Sequence, residues 1–284
     1  CLKIDFTGVE FNLKLSNLSL AAGQGNVESQ IFKSTQGNST YTLDLYNVVF
    51  KTPYICAWKD GTSNGGFDGW NIKIDRLFAE EAVWVFFNTN TVTEVCNCFV
   101  KNSHIVNAPS EAGAPSLFST RNNDPSIIVC ENLVVDNLEV NFFQSYPGGS
   151  EPEGIFKNLR IVNTSGAGAP FFIIDGGPGM LHGANTTILD SYFKNVAVGV
   201  FGKTTMYNSI IDQSDMVTVS PGLKVLPGCR IEKCKVLTPS GIDSIESTGI
   251  GVCQILYTMT NRGITGAFLS LPAVNYNIDD ASLI

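Results

Sequence analysis

Glu153 and Asp175 form the pair of residues whose spacing says most about chemistry. Glu153 lies 16 residues past Asn137, and Asp175 lies 17 past Asn158. Both asparagines are turn positions in a repeat, so the two acids fall at nearly the same point of adjacent repeats, about 5 Å apart in a stacked sheet. That separation belongs to a retaining glycosidase, and acids two repeats apart would give the wider inverting geometry. One acid would need a raised pKa to protonate the leaving oxygen, beside one ionised carboxylate. Solvated surface acids and a cation site are the other readings of the same pair.

Loops around these acids carry further candidates. The longest interruptions of the repeat are KTPYICAWKDGTSNGGFDGW (51–70), VNAPSEAGAPSLFSTRNNDPSI (106–127), QSYPGGSEPEG (144–154) and IDGGPGMLHGANT (174–186). They hold Trp58, Trp70 and Tyr146 together with Asp60, Asp68 and His182. Aromatic rings stack on pyranose faces and carboxylates accept hydroxyl hydrogen bonds, so this set suits a sugar polymer. Loops of any protein also collect Gly, Asp and an occasional ring, and both readings stand. His104, in KNSHI, reads as an outward-facing surface histidine.

The elements that must position these residues are written as a repeat. FNLKLSNLSL (11–20) returns as YTLDLYNVVF (41–50), each with an Asn at its seventh place between alternating apolar residues. The turn position then falls at Asn17, Asn47, Arg76, Asn102, Asn137, Asn158, Asp190, Asn208, Lys233 and Asn261, at intervals of 18 to 35 residues. Asn tolerates a left-handed backbone better than other residues except Gly. A period of this size marks stacked repeats. Regular Leu spacing and a helical return are missing, which excludes a leucine-rich repeat. Short alternating strands separated by Asn, Gly or Pro describe an all-β, right-handed parallel β-helix of about ten coils, one domain over residues 1–284. The corner asparagines should form a ladder of side-chain amides. Leu13, Leu43, Ile72, Val135, Phe156 and Ile188 should share one core. FKNVAV (193–198) offers a rival register for the short coil between Asp190 and Asn208.

Composition narrows the function classes. Charged residues make up only 15% of the 284, and the net charge is −8. With no basic run to displace counterions, nucleic acid is excluded as a partner. Apolar runs such as AVWVFF (82–87) are too short to span a bilayer. No metal-ligand spacing occurs among the eight cysteines, so neither metal nor cofactor is expected. They read as buried small hydrophobes of a protein made in a reducing cytoplasm, with disulfides the alternative. Both ends look cut from a longer chain, whose flanking domains or partner chains should cover the stack's ends.

The phrases FVKNSHIVN, LVVDNLEV, TILDSYFKNV and TMYNSII resemble the coils of the pectin-lyase-like superfamily of right-handed β-helices. The NTD, DD, GHG and RIK signatures of its polygalacturonase-type glycosidases are not intact here, and His182-Gly183 and Arg230-Ile231 are fragments of two. The acidic calcium cluster and Arg motif of pectate lyases are missing as well. Within the superfamily the chain looks most like the shaft or receptor-binding region of a bacteriophage tailspike. That resemblance implies a homotrimer in the virion tail, made in bacterial cytoplasm and joined to other tail proteins. Its partner would be host surface polysaccharide, bound and, if cleaved, hydrolysed by an endoglycosidase. A structural fibre or adhesin segment is one alternative, and a bacterial surface or secreted polysaccharide-degrading enzyme another.

Overall fold

A computed structural model describes residues 4–6, 10–21, 32–34, 40–51, 57–59, 70–80, 87–89, 97–108, 116–120, 127–138, 141–145, 153–163, 171–174, 185–200, 204–216, 222–225, 228–247, 253–266 and 276–277. All pairing among them is parallel strand on parallel strand, and none of these residues is helical. The chain is a right-handed parallel β-helix.

Its first half is built from long bent strands. Glu10–Ala21, Thr40–Lys51, Trp70–Glu80, Asn97–Ala108 and Ile127–Leu138 stack in that order. Each turns a first corner at a residue with positive φ: Asn17, Asn47, Arg76, Asn102 and Asn132. The half before the corner makes a first face and the half after it a second face. Third-face strands such as Phe87–Thr89, Ser116–Thr120 and Asn141–Ser145 form a separate sheet. From Glu153 to Gly266 the long strand splits. Five successive turns there each hold three short strands, beginning with Glu153–Lys157, Arg160–Val162 and Phe171–Ile174. The expectation of about ten coils is thus corrected: among the described residues the full form with three separate strands is found in about five turns.

Two corner assignments also change. Asn132 and Tyr257 take the left-handed corner where Asn137 and Asn261 were expected. Asn137 has positive φ too, but it sits at a second corner five residues on, where its amide donates to Asn107 Oδ1 at 3.0 Å. Asn261 bonds inward to the Thr238 backbone, accepting from its N–H and donating to its C=O, both at 2.9 Å. The expected ladder is present at the first corner. Asn47 donates to Asn17 at 2.6 Å, Asn132 to Asn102 at 2.9 Å, Asn158 to Asn132 at 2.7 Å and Asn208 to Asp190 at 2.8 Å. That last bond and the pairing of Thr187 with Thr205 fix the short coil. The rival phrase there is explained by Asn195, which occupies the second corner.

Behind the corner lies a row of buried hydroxyls. Ser103, Ser191, Ser209 and Thr258 each donate to the carbonyl two residues back. Each also accepts a backbone N–H from the coil before. A sharp bend that frees backbone groups inside the stack is thereby satisfied. The core itself is one cluster. Leu43, Ile72, Val135, Phe156 and Ile188 are at most 1% exposed, with Leu13 partly buried against them. Cys98, Cys130, Cys229, Cys234 and Cys253 are buried, and no disulfide joins them among the described residues. Cys1, Cys56 and Cys96 lie outside the described residues.

Candidate functional site

Alternation puts every second residue of a first-face strand outward. Parallel register then lines these residues into two rows along the helix axis. One row runs Lys14, Asp44, Lys73, Phe99, and the other Ser16, Tyr46, Asp75, Lys101. Between them a groove of about 580 Å³ crosses four coils, floored by the strands at Leu15, Leu45 and Ile74. Three coil steps at ~4.8 Å make it about 14 Å long.

Its walls combine rings and charges. Tyr46 is 42% exposed. The Arg76 guanidinium lies 5.2 Å from the Tyr46 ring centroid, a cation–π contact that fixes the ring. Lys14 pairs with Asp44 at 3.5 Å, and Asn102 donates to Asp75 at 2.9 Å. Lys101 pairs with Glu131 at 3.0 Å, and Lys157 approaches the same carboxylate at 3.8 Å. The Lys101 hydrogen bond and charge, then Lys157, hold Glu131 below the usual carboxylate range. Lys73 is exposed in mid-groove and has no ion-pair or hydrogen-bond partner among the described residues. One aromatic ring on each wall, Phe99 beside Lys73 and Tyr46 beside Asp75, can hold a linear polyhydroxylated chain by stacking and hydrogen bonding.

The second face carries another constellation across successive coils. His104 Nε2 and Asp136 Oδ2 are 2.9 Å apart, and Arg160 bonds the other oxygen of Asp136. Phe78 meets the His104 ring edge-to-face at 5.6 Å. Partial burial raises the Asp136 pKa, but hydrogen bonds from Arg160 and His104 outweigh it and hold the carboxyl below its ordinary value. The His104–Asp136–Arg160 bonds clamp three coils together. The outward position expected for His104 is confirmed, with 42% of its side chain exposed.

The sequence-derived site residues fare differently. Glu153 opens its strand with an exposed side chain, and its register neighbours are Ile127 and Asn185. With Asn132 as the corner its offset becomes 153 − 132 = 21, against 175 − 158 = 17 for Asp175, so the equal-spacing argument for the pair loses its register. Asp175, Asp60, Asp68, Tyr146 and His182 lie outside the described residues. Trp58 and Trp70 are placed by backbone alone, opposite Lys33 and Tyr41. Trp70 therefore enters the strand that supplies Lys73 and Asp75 to the groove. Tyr46, Lys73 and Phe99 were passed over because they sit inside the repeat phrases. The signal that finds them is the outward half of the alternation, read in register across coils.

The chain matches no protein-family model, no curated protein and no solved structure. Among the described residues no cluster of His, Cys, Asp or Glu could hold a metal ion.

Proposed function

We propose that this chain is a β-helical segment of a tailspike-like or tail-fibre-like phage protein that binds host cell-surface polysaccharide, with the polymer lying along the first-face groove. The observation that carries the reading is the pair of outward rows, Lys14-Asp44-Lys73-Phe99 and Ser16-Tyr46-Asp75-Lys101, facing each other across an open axial channel. A glycosidase needs two carboxylates facing each other across the scissile bond. Asp44 is tied to Lys14 and Asp75 to Asn102, so the described geometry supports binding over cleavage. On the second face the outward row Val49, Phe78, His104, Val134, Arg160, Tyr192 and Ile210 mixes apolar and polar residues, a composition that sister chains of a homotrimer can cover.

The test is a panel of immobilised bacterial surface polysaccharides probed with the wild type, Tyr46→Ala and Phe99→Ala. Wild-type retention by at least one polymer is expected, with each variant weakened by roughly tenfold, about 1.4 kcal/mol. Full retention by both variants, or none by the wild type, rejects the groove as the binding site. Light scattering on the chain should report three copies, and a monomer at micromolar concentration counts against the fibre assembly.

A further inference from the structure

The corner ladder is broken by a cation in two places, and the same surroundings recur at both. Arg76 follows Asn47 at the corner, and Lys233 follows Asn208. The residue before each of those asparagines is a tyrosine, Tyr46 in one case and Tyr207 in the other. Arg76 lies 5.2 Å from the Tyr46 ring centroid, and Lys233 lies 5.1 Å from that of Tyr207. The matching strands read KIDR (73–76) and RIEK (230–233). In each the first and third residues point outward, and the third is the register partner of the tyrosine: Asp75 of Tyr46, Glu232 of Tyr207.

Tyrosine, two cations and one acid thus stand at the same register positions twice, with Arg230 paired to Glu232 at 2.7 Å and Lys233 donating to the Tyr207 hydroxyl at 2.8 Å in the second copy. Six coil steps separate the copies, through Asp75, Lys101, Glu131, Lys157 and Leu189 to Tyr207. At ~4.8 Å per step that is about 29 Å along one face. Asn at either corner would have continued the ladder, so the ladder does not require these cations. Each copy carries one net positive charge, in a chain whose net charge is −8.

We propose that Tyr207, Arg230, Glu232 and Lys233 form a second glycan site equivalent to the one around Tyr46, and that the two together hold one polymer bearing an anionic group on its repeating unit. This rests on the glycan-binding reading and extends it to a second site and a ligand charge. A hydroxylated ring lies against the tyrosine, and the excess cation pairs with the acidic substituent. A polymer long enough to span both copies gains from the second contact being intramolecular, whereas a trisaccharide does not.

The experiment uses the full chain with alginate and hyaluronan as carboxylate polymers, poly(glycerol phosphate) as a phosphate polymer, dextran as a neutral one, and the trisaccharides of the two carboxylate polymers. The expected result is retention of an anionic polymer in preference to dextran. If a carboxylate polymer is the one retained, its trisaccharide should bind at two per chain. Tyr207→Ala should reduce that stoichiometry to one and weaken polymer binding by at least tenfold, and Tyr46→Ala should do the same. Tyr207→Phe should keep most of the binding, since the ring remains. Binding of the anionic polymer that Tyr46→Ala abolishes and Tyr207→Ala leaves unchanged overturns the second site while the groove reading survives. Equal retention of dextran overturns the anionic preference alone. Retention of none of these polymers, with binding still found on the wider polysaccharide panel, overturns the ligand class.

Discussion

Gly154 and Phe156 share one space inside the stack. A Cβ on Gly154 would lie 2.8 Å from Phe156 Cε2 and 3.3 Å from Thr186 Oγ1. Phe156 sits in an inward row otherwise filled by smaller side chains: Leu45, Ile74, Val100, Cys130 and Ile188. Its ring meets Phe142 edge-to-face at 6.3 Å. The missing side chain two residues back makes the room. Gly154→Ala should therefore destabilise the fold by ~1–3 kcal/mol through overpacking. Gly154→Ala combined with Phe156→Leu should recover part of the loss in a denaturant melt. An unchanged midpoint for the single variant would show that the ring is free to move aside.

Asn132 is the test of the ladder. It donates to Asn102 and accepts from Asn158, at a φ of 54°. Asn132→Val removes both amide bonds and forces a β-branched residue into the left-handed region, at a cost of about 1–3 kcal/mol. Arg76→Asn should do the opposite. It restores an unbroken run of corner asparagines from Asn17 to Asn158, so thermal stability should hold or rise. Melting temperatures of the two variants check both signs.

Much of this architecture is legible in the sequence because alternation and corner asparagines are local signals. Both Leu13 and Ile188 were placed in the core by pattern alone, since inward residues must repeat every second position. Asn132 and Asn137 show where legibility ends. Each is followed by Leu and flanked by apolar alternation, and each adopts positive φ, so spacing alone does not tell the first corner from the second. Tyr257 is harder still, because nothing in a tyrosine announces a left-handed backbone. The groove was missed for a related reason. Tyr46, Lys73 and Phe99 become neighbours only when three strands are laid in register, and register depends on the corners.

Cysteine chemistry gives the third prediction. Burial pushes the Cys98 thiol up to about 12 and Cys234 up to about 11, and it raises Cys130 and Cys253 as well. The thiolate is the reactive form, so these groups should be inert in the folded chain. Iodoacetamide at pH 8.5 followed by peptide mapping should leave Cys98, Cys130, Cys229, Cys234 and Cys253 unlabelled until denaturant is added. The linkage has a definite sign. Unfolded thiols ionise near their ordinary 9.0, while folded Cys98 keeps its proton to about 12, so stability should fall as pH rises from about 9. Rapid labelling of Cys98 at pH 8.5 in the native state would contradict the buried placement.

Acid should expose the clamp on the second face. Asp136 has an ordinary value of 3.8 and is held below it by Arg160 and His104, which outweigh the opposing effect of burial. When pH falls, the unfolded chain takes up this proton before the folded one does. The contribution of the clamp is therefore complete above the unfolded value and is lost as pH drops through the lower, folded one. Glu131, lowered mainly by Lys101, acts with the same sign. Stability of the wild type should decline between about pH 5 and pH 3, and Asp136→Asn should flatten that decline while lowering stability at pH 7. Lys101→Gln serves as the comparison, because it relaxes Glu131 and leaves the clamp intact. A pH profile for Asp136→Asn parallel to the wild type would mean that Arg160 and His104 are held by the sheet alone, and that the carboxylate between them adds nothing to its cohesion.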